Sequence, residues 1–344
     1  MPKTLKTIIQ FAVFLGLGIL IIWWTVRGFS SQQLLEIKEA MRHANYWLLI
    51  PTMILGIGSH WVRAVRWRLL FTPLGYNPSK RNTFFAVMIG YLLNLAVPRL
   101  GEVARCGVLS RYEHIPVDKL VGTMIAERGM DLVCLMLLLV ATVLIQVDVV
   151  GAFVSDYIWI PLSGKFTGIS LTSWIMIVLG ALLFVLIIAW LLRRFKSTKA
   201  GISFRKLLRG IAEGILSIGK LKDKGWFLFY TALMWLLYFS QVYIAFWCLD
   251  DTVGLGVKAA MSILAFGSIG MIATQGGIGA YQYIVQQILV LYGISATIGF
   301  AFGWIIWLAQ TALMIVLGFG SMIAIPLYNK QQDAKPAPND PPAQ

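Results

Sequence analysis

From its amino terminus the chain alternates long apolar runs with short polar stretches. After MPKTLK, residues 8–26 are almost wholly apolar and predict a first span, with Trp23 and Trp24 as interface anchors. That run is too long for a signal-peptide core, and no small-residue cleavage site follows it. Residues 27–45 are polar and predict a short surface helix. Residues 46–67 are apolar again and end in WVRAVRWRLL, where Arg63, Arg66 and Arg68 beside Trp61 and Trp67 read as a cytosolic edge. The runs at 121–147, 172–192, 225–249 and 300–325 each approach or exceed the roughly 20 residues that cross a bilayer as a helix. Two other runs do not. The stretch 83–98 rises only about 24 Å as a helix and stops at Pro98, where the charged PRLGEVARCGVLSR begins. The stretch 258–274 is broken by QGGIGAY at 275–281 before YIVQQILVLYG carries the apolar character to 293.

Charge sets the direction of these elements. The chain has 29 Lys and Arg against 15 Asp and Glu, a formal net charge of +14. The basic residues gather in linkers, which is a topology signal and not a nucleic-acid footprint. Linker 193–224 holds ten basic and two acidic residues, which makes its side cytosolic, and 99–119 is also basic. Linkers 148–171 and 250–258 are acidic by contrast. The charge rule is satisfied if 83–112 dips in from the cytosol and returns, and 258–293 dips in from outside and returns. The expectation is an all-α polytopic membrane protein with six full spans, two re-entrant or broken helical hairpins forming an inverted pair, and both termini cytosolic. Eight plain spans is the alternative. Residues 1–329 form a single integral membrane domain, and the Pro-rich tail 330–344 is expected to be disordered.

Composition narrows the class further. Apolar residues make up 58% and charged residues 13%, where soluble chains run near 45–50% and about 25%. The scattered Cys106, Cys134 and Cys248 form neither a disulfide pattern nor a metal-ligand spacing. No nucleotide loop, hydrolase elbow or dinucleotide fingerprint is present, so neither metal nor cofactor is expected.

The two interrupted segments look like copies: a short apolar helix, a glycine-containing break (PRLGE at 98–102, QGGIG at 275–279), then a second short helix. Such segments in corresponding halves point to a transporter's substrate site. Helix N-termini at the breaks suit an anion such as phosphate, whereas simple kinks in a packed bundle are the plainer alternative. Ionisable residues cluster here too, and within hydrocarbon each needs a partner or a wet cavity. Arg99, Glu102 and Arg105 flank the first break, with Glu102 and Arg105 neighbours on one helical face. Glu127 and Asp131 share a face of the fourth run and need a cation, for which Arg63, Arg66, Arg99 and Arg105 are candidates. Arg128 points elsewhere and is free to pair across to another helix. The expected substrate-binding set is Arg99, Glu102, Arg105, Glu127, Arg128 and Asp131, with Asn94, Gly101, Gln275, Gly276, Gly277, Gly279 and Tyr281 at the breaks. Arginines neutralising a phosphate headgroup and a purely structural ion-pair lattice are both open readings of this set.

The segments NLAVPRLGEVARCGVLSR (94–111), MIAERGMDLVCLMLLL (124–139) and GGIGAY (276–281) resemble the flippase-like membrane family related to the transmembrane domain of lysylphosphatidylglycerol synthases. The matching positions are Asn94, Pro98, Gly101, Glu102, Arg105, Glu127, Arg128 and Asp131, and the likeness covers roughly 5–325. It implies a multi-pass protein of a prokaryotic cytoplasmic membrane that moves a phospholipid or lipid-linked headgroup between leaflets. An anionic phospholipid is then the partner, with a homo-oligomer or a separate lipid-modifying enzyme as further ones. The soluble synthase domain is not expected, nor is lysyl transfer. Gln282 stands where members often carry an acidic residue, which weakens any reading that needs matched acids in both halves. A membrane-embedded transferase and an assembly partner of a cell-envelope enzyme are the alternatives.

Overall fold

The computed structural model describes residues 3–97, 100–146, 221 and 223–333. The run 172–192, the linker 148–171, nearly all of 193–224, Pro98, Arg99 and the tail from 334 lie outside the described residues. Every regular element among the described residues is helical: α1 (Lys3–Arg27), α2 (Ser31–His43), α3 (Leu49–Leu69), α4 (Lys80–Ala96), α5 (Leu100–Glu113), α6 (Val117–Ile145), α7 (Lys224–Ala245), α8 (Val257–Ala273), α9 (Ala280–Leu291) and α10 (Ala296–Asp333). The polar stretch after α1 forms a helix because Ser30 caps Gln33 N–H while the Gln33 side chain accepts from Ser30 N–H.

Among the described residues, four segments are long and apolar enough to cross a membrane: Tyr46–Leu74, Val117–Ile145, Lys224–Cys248 and Ala296–Gln331. The described apolar part of α1, Leu15–Arg27, is shorter. α3 shows why hydrocarbon is the solvent. Its outer face carries Ile50, Ile54, Ile57 and Trp61, while Thr52, Ser59, His60, Arg63 and Arg66 are buried. Lipid reverses the polarity of a soluble helix in this way, since polar groups must find partners inside. The protein is an all-α polytopic membrane protein.

α4 and α5 form one antiparallel hairpin and α8 and α9 another. At the open end of the first, Glu113 Oε1 accepts from Ser79 N–H (3.0 Å) and Asn82 Nδ2 (2.6 Å). Nearer its tip the backbones touch at Gly90 and Gly101: a Cβ on Gly90 would sit 2.8 Å from Gly101 O. In the second, Ser262 and Tyr292 pair at the open end (3.0 Å) and Gly267 and Gly270 make room for Tyr281 near the tip. The QGGIG break turns because Gly276, Gly277 and Gly279 all take positive φ (58°, 78° and 79°), a region open to glycine at little cost.

α10 shows how the hairpins are arranged. Its start packs on α9, with Gly299 against Gln286 and Gly303 against Gln282. Further on, Trp307 Nε1 donates to Gly276 O at the second tip (2.7 Å), and Gly318 meets Leu92 of α4. At its far end Asn329 pairs with Asn82 (2.9 Å) at the open end of the first hairpin. The hairpins therefore approach from opposite ends of α10, and their tips meet where Gln275 Nε2 donates to the carbonyls of Asn94 (2.7 Å) and Leu95 (3.1 Å). Each hairpin has its own apolar core, one around Trp67, Phe71, Met88 and Leu109, the other around Phe246, Ile263, Val285 and Phe302. Pro326 lies inside α10, which continues to Asp333, four residues into the segment read as tail.

Candidate functional site

Between the two cores lies an ion-pair lattice. α3 supplies Arg63 and Arg66, one turn apart; α6 supplies Glu127 and Asp131, also one turn apart; α5 supplies Arg105. Glu127 Oε1 accepts from Arg63 (3.1 Å) and Arg66 (3.2 Å), and its Oε2 accepts from Arg105 (2.8 Å). Asp131 accepts from Arg63 (2.9 Å) and Arg66 (2.7 Å). The Glu127 side chain is 0% exposed and that of Asp131 14%. The guanidiniums are also clamped by rings. Arg105 lies 4.4 Å over Trp67, Arg66 lies 5.5 Å over Phe227, and Tyr238 Oη accepts from Arg63 Nη2 (3.3 Å). Trp67 is fixed in turn by its indole N–H on Thr123 (3.2 Å).

Glu102 and Arg105, three residues apart on α5, do not pair with each other. Glu102 pairs instead with Arg128 (3.1 Å), both about one-third exposed, and Arg105 turns inward to Glu127. Arg63 and Arg66 are not edge residues either. The edge of α3 is marked by Arg68, which reaches Pro78 O (2.7 Å) and Asn77.

A cavity of about 450 Å³ opens beside the lattice, bounded by α3, α6 and α7 on one side and by the hairpin tips and α10 on the other. Its polar wall presents Arg63, Arg128, Asp131, Tyr238, Gln241 and Gln310, and the remainder is mainly apolar, including Leu135, Ile263 and Met271. Leu132 of α6 and Ile272 of α8 line it and are also 41% and 72% exposed. Among the described residues, then, the cavity reaches the outer, lipid-facing surface between α6 and α8. Those two helices meet lower down, where Ser262 donates to Gln146 Oε1 (2.9 Å).

Of the expected substrate-binding residues, Arg128, Asp131 and Tyr281 line this cavity. Glu102 holds Arg128, while Arg105 and Glu127 are buried behind it in the lattice. Asn94 and Gly101 shape the first tip: Gly101 N–H donates to Asn94 Oδ1 (2.8 Å), so a side chain already caps the helix N-terminus expected to face an anion. The second tip is alike, with Gly279 N–H donating to Gln282 Oε1 (2.8 Å). Gln275 joins the tips, and Gly276, Gly277 and Gly279 form the turn. Arg99 lies outside the described residues. Gln310 bonds Gln241 (2.7 Å) on the cavity wall, and Tyr283 packs outside against Trp24. Sequence reasoning missed His60, Tyr91, Trp235 and Tyr238 as lining residues. The signal for His60 was its place on the stripe of His60, Arg63 and Trp67, which shares one face of α3.

The family model described as the lysylphosphatidylglycerol synthase TM region matches residues 8–318. A UPF0104 membrane protein of Methanothermobacter thermautotrophicus is 22% identical over 331 residues, covering 86% of this chain and 92% of the relative. Another, from Methanocaldococcus jannaschii, is 22% identical over 303 residues, covering 84% and 88%. No solved structure matches the chain. With nine-tenths of its length inside that match and a lattice and paired hairpins built from the same segments, the chain belongs to the family of the lysylphosphatidylglycerol synthase transmembrane region.

Proposed function

We propose that the protein moves an anionic phospholipid, or a lipid-linked polar headgroup of similar charge, between leaflets through the cavity at the hairpin tips. The observation that carries this reading is a cavity with arginine at one end, apolar walls and a side facing the lipid. A headgroup binds beside Arg63 and Arg128 while its tails leave between Leu132 and Ile272. Arginine suits a phosphate because its planar fork donates two parallel hydrogen bonds. The lattice holds Arg63 in place without exposing it to bulk water, and the tip contact through Gln275 is the gate that must open for passage. In the membrane we place the open end of the first hairpin in the cytosol, with Arg81, Arg111 and Lys119 near it, and the acidic open end of the second outside. Both hairpins are then re-entrant, six segments cross fully, and both termini are cytosolic. In a prokaryotic cytoplasmic membrane this is transport without group transfer.

The test is leaflet exchange of labelled anionic phospholipid in proteoliposomes. Arg128 sits in a partly exposed pair worth about 1 kcal/mol or less, so Arg128→Gln should fold and melt like the parent. It should exchange the lipid roughly tenfold more slowly, the loss of one charge-assisted hydrogen bond. Parental exchange by folded Arg128→Gln, or a parent no faster than protein-free vesicles, would overturn the reading.

A further inference from the structure

Two uncharged side chains in the cavity wall carry buried polar atoms with no hydrogen-bond partner among the described residues. His60 is 4% exposed, yet neither Nδ1 nor Nε2 is bonded. Its ring leans on Tyr91, with centroids 5.1 Å apart, which fixes the ring and satisfies neither nitrogen. From α7, Trp235 also lines the cavity with its buried Nε1–H unpaired, and its ring packs edge-on against Tyr238 at 6.0 Å. Buried groups of this kind are nearly always satisfied, so the missing partners belong to whatever fills the cavity.

The chemistry of that occupant follows from the atoms left open. A neutral imidazole offers one donor and one acceptor, and an indole offers one donor. A phosphodiester can accept from Trp235, Arg63 and Arg128, but it has no hydrogen to give the acceptor nitrogen of His60. A hydroxyl group can both give and accept. Charge narrows the choice again. Among the described residues four guanidiniums (Arg63, Arg66, Arg105, Arg128) face three carboxylates (Glu102, Glu127, Asp131), leaving one positive charge over. A monoanion neutralises it, a zwitterion leaves it, and a cationic aminoacyl headgroup doubles it.

We propose that His60 and Trp235 read hydroxyl groups, and that the cavity selects a singly anionic phosphodiester with a hydroxyl-bearing headgroup, a polyol or a sugar. The proposal rests on the cavity being a lipid site, and its test separates the two. Purified protein is titrated with dihexanoyl phosphatidylglycerol, with dihexanoyl phosphatidylmethanol (same charge, no hydroxyl), and with dihexanoyl phosphatidylcholine, reading the rise in melting temperature. The glycerol lipid should bind at least about fivefold more tightly than the methanol lipid, the worth of one net hydrogen bond, and the choline lipid more weakly than either. In His60→Phe and in Trp235→Phe the glycerol-to-methanol ratio should each fall part of the way towards one, and His60→Gln should restore part of the first loss. Equal binding of the two anionic lipids by the parent, or a ratio that survives in both His60→Phe and Trp235→Phe, overturns the proposal. Soluble glycerophosphoglycerol binding as tightly as the lipid would overturn the lipid source in favour of a free polyol phosphate. Leaflet exchange on the same samples distinguishes the readings: selective binding without exchange refutes transport alone, and exchange without selectivity refutes this inference alone.

Discussion

Replacing Glu127 by Gln should strongly destabilise the protein, and the lattice geometry sets the size of the effect. The side chain is fully buried and accepts from Arg63, Arg66 and Arg105 at 3.1, 3.2 and 2.8 Å. Glutamine keeps the shape but offers a single oxygen. If that oxygen takes the Oε1 position, Arg105 faces an N–H donor; if it takes Oε2, Arg63 and Arg66 do. Asp131 would then be the one carboxylate left to face Arg63 and Arg66, and Arg105 would lose its ionic partner. Leaving a buried ion unpaired costs roughly 3–5 kcal/mol, which corresponds to a fall in melting temperature on the order of 10 °C for a chain of this size. The assay is thermal unfolding of purified variants in one detergent, with membrane yield recorded beside it. Adding Arg105→Gln to Glu127→Gln removes one of the stranded cations, so the double variant should lose less than the sum of the two single losses by about 1 kcal/mol or more. A Glu127→Gln protein made at parental yield and melting within about 2 °C of the parent would refute the lattice as a stabilising element, as would strict additivity.

Gly101→Ala should destabilise the first hairpin by about 1–3 kcal/mol, because its Cβ would fall 2.7 Å from the Gly90 carbonyl carbon and 2.8 Å from Asn94 Cγ; Gly107→Ala in the same helix, where nothing lies within 4 Å, should be neutral or slightly stabilising, and thermal unfolding compares the two. A cysteine at Asp118 should be labelled only from the cytosolic side and one at Asp251 only from outside; labelling of both from one face would contradict the inverted hairpins.

The sequence disclosed elements far better than partners. The two helix–break–helix segments were legible because their apolar runs are short and their breaks carry glycine, and the structure turns them back at Gly90–Gly101 and at the Gly276–Gly279 turn. The last span was read over 300–325, and α10 runs on past Pro326 to Asp333, where Asn329 is tied to Asn82 and Ser79 meets Tyr328 (3.4 Å), contacts that belong to tertiary structure. The ion pairing was legible in part: Arg63, Arg66 and Arg105 were candidate cations for Glu127 and Asp131, and the structure pairs them. Spacing alone could not reveal that the partner of Arg128 on another helix is Glu102. Burial of Arg63 and Arg66 was obscured by Arg68, which carries the same charge two residues further on and does lie at the edge. A lone histidine gives no sign of its unpaired nitrogens, since pairing is a property of neighbours from other helices. The cavity itself was expected only in outline, from the breaks, and its wall turned out to draw more on α3 and α7 than on the breaks.

The central claim is that a lipid headgroup occupies the space between Arg63, Arg128 and the hairpin tips. A density map of the protein in nanodiscs of anionic phospholipid tests it most directly. The account predicts headgroup density beside Arg128 and His60, with acyl density leaving between Leu132 and Ile272. Well-resolved annular lipids around an empty cavity, or a cavity closed by its own side chains, would contradict it.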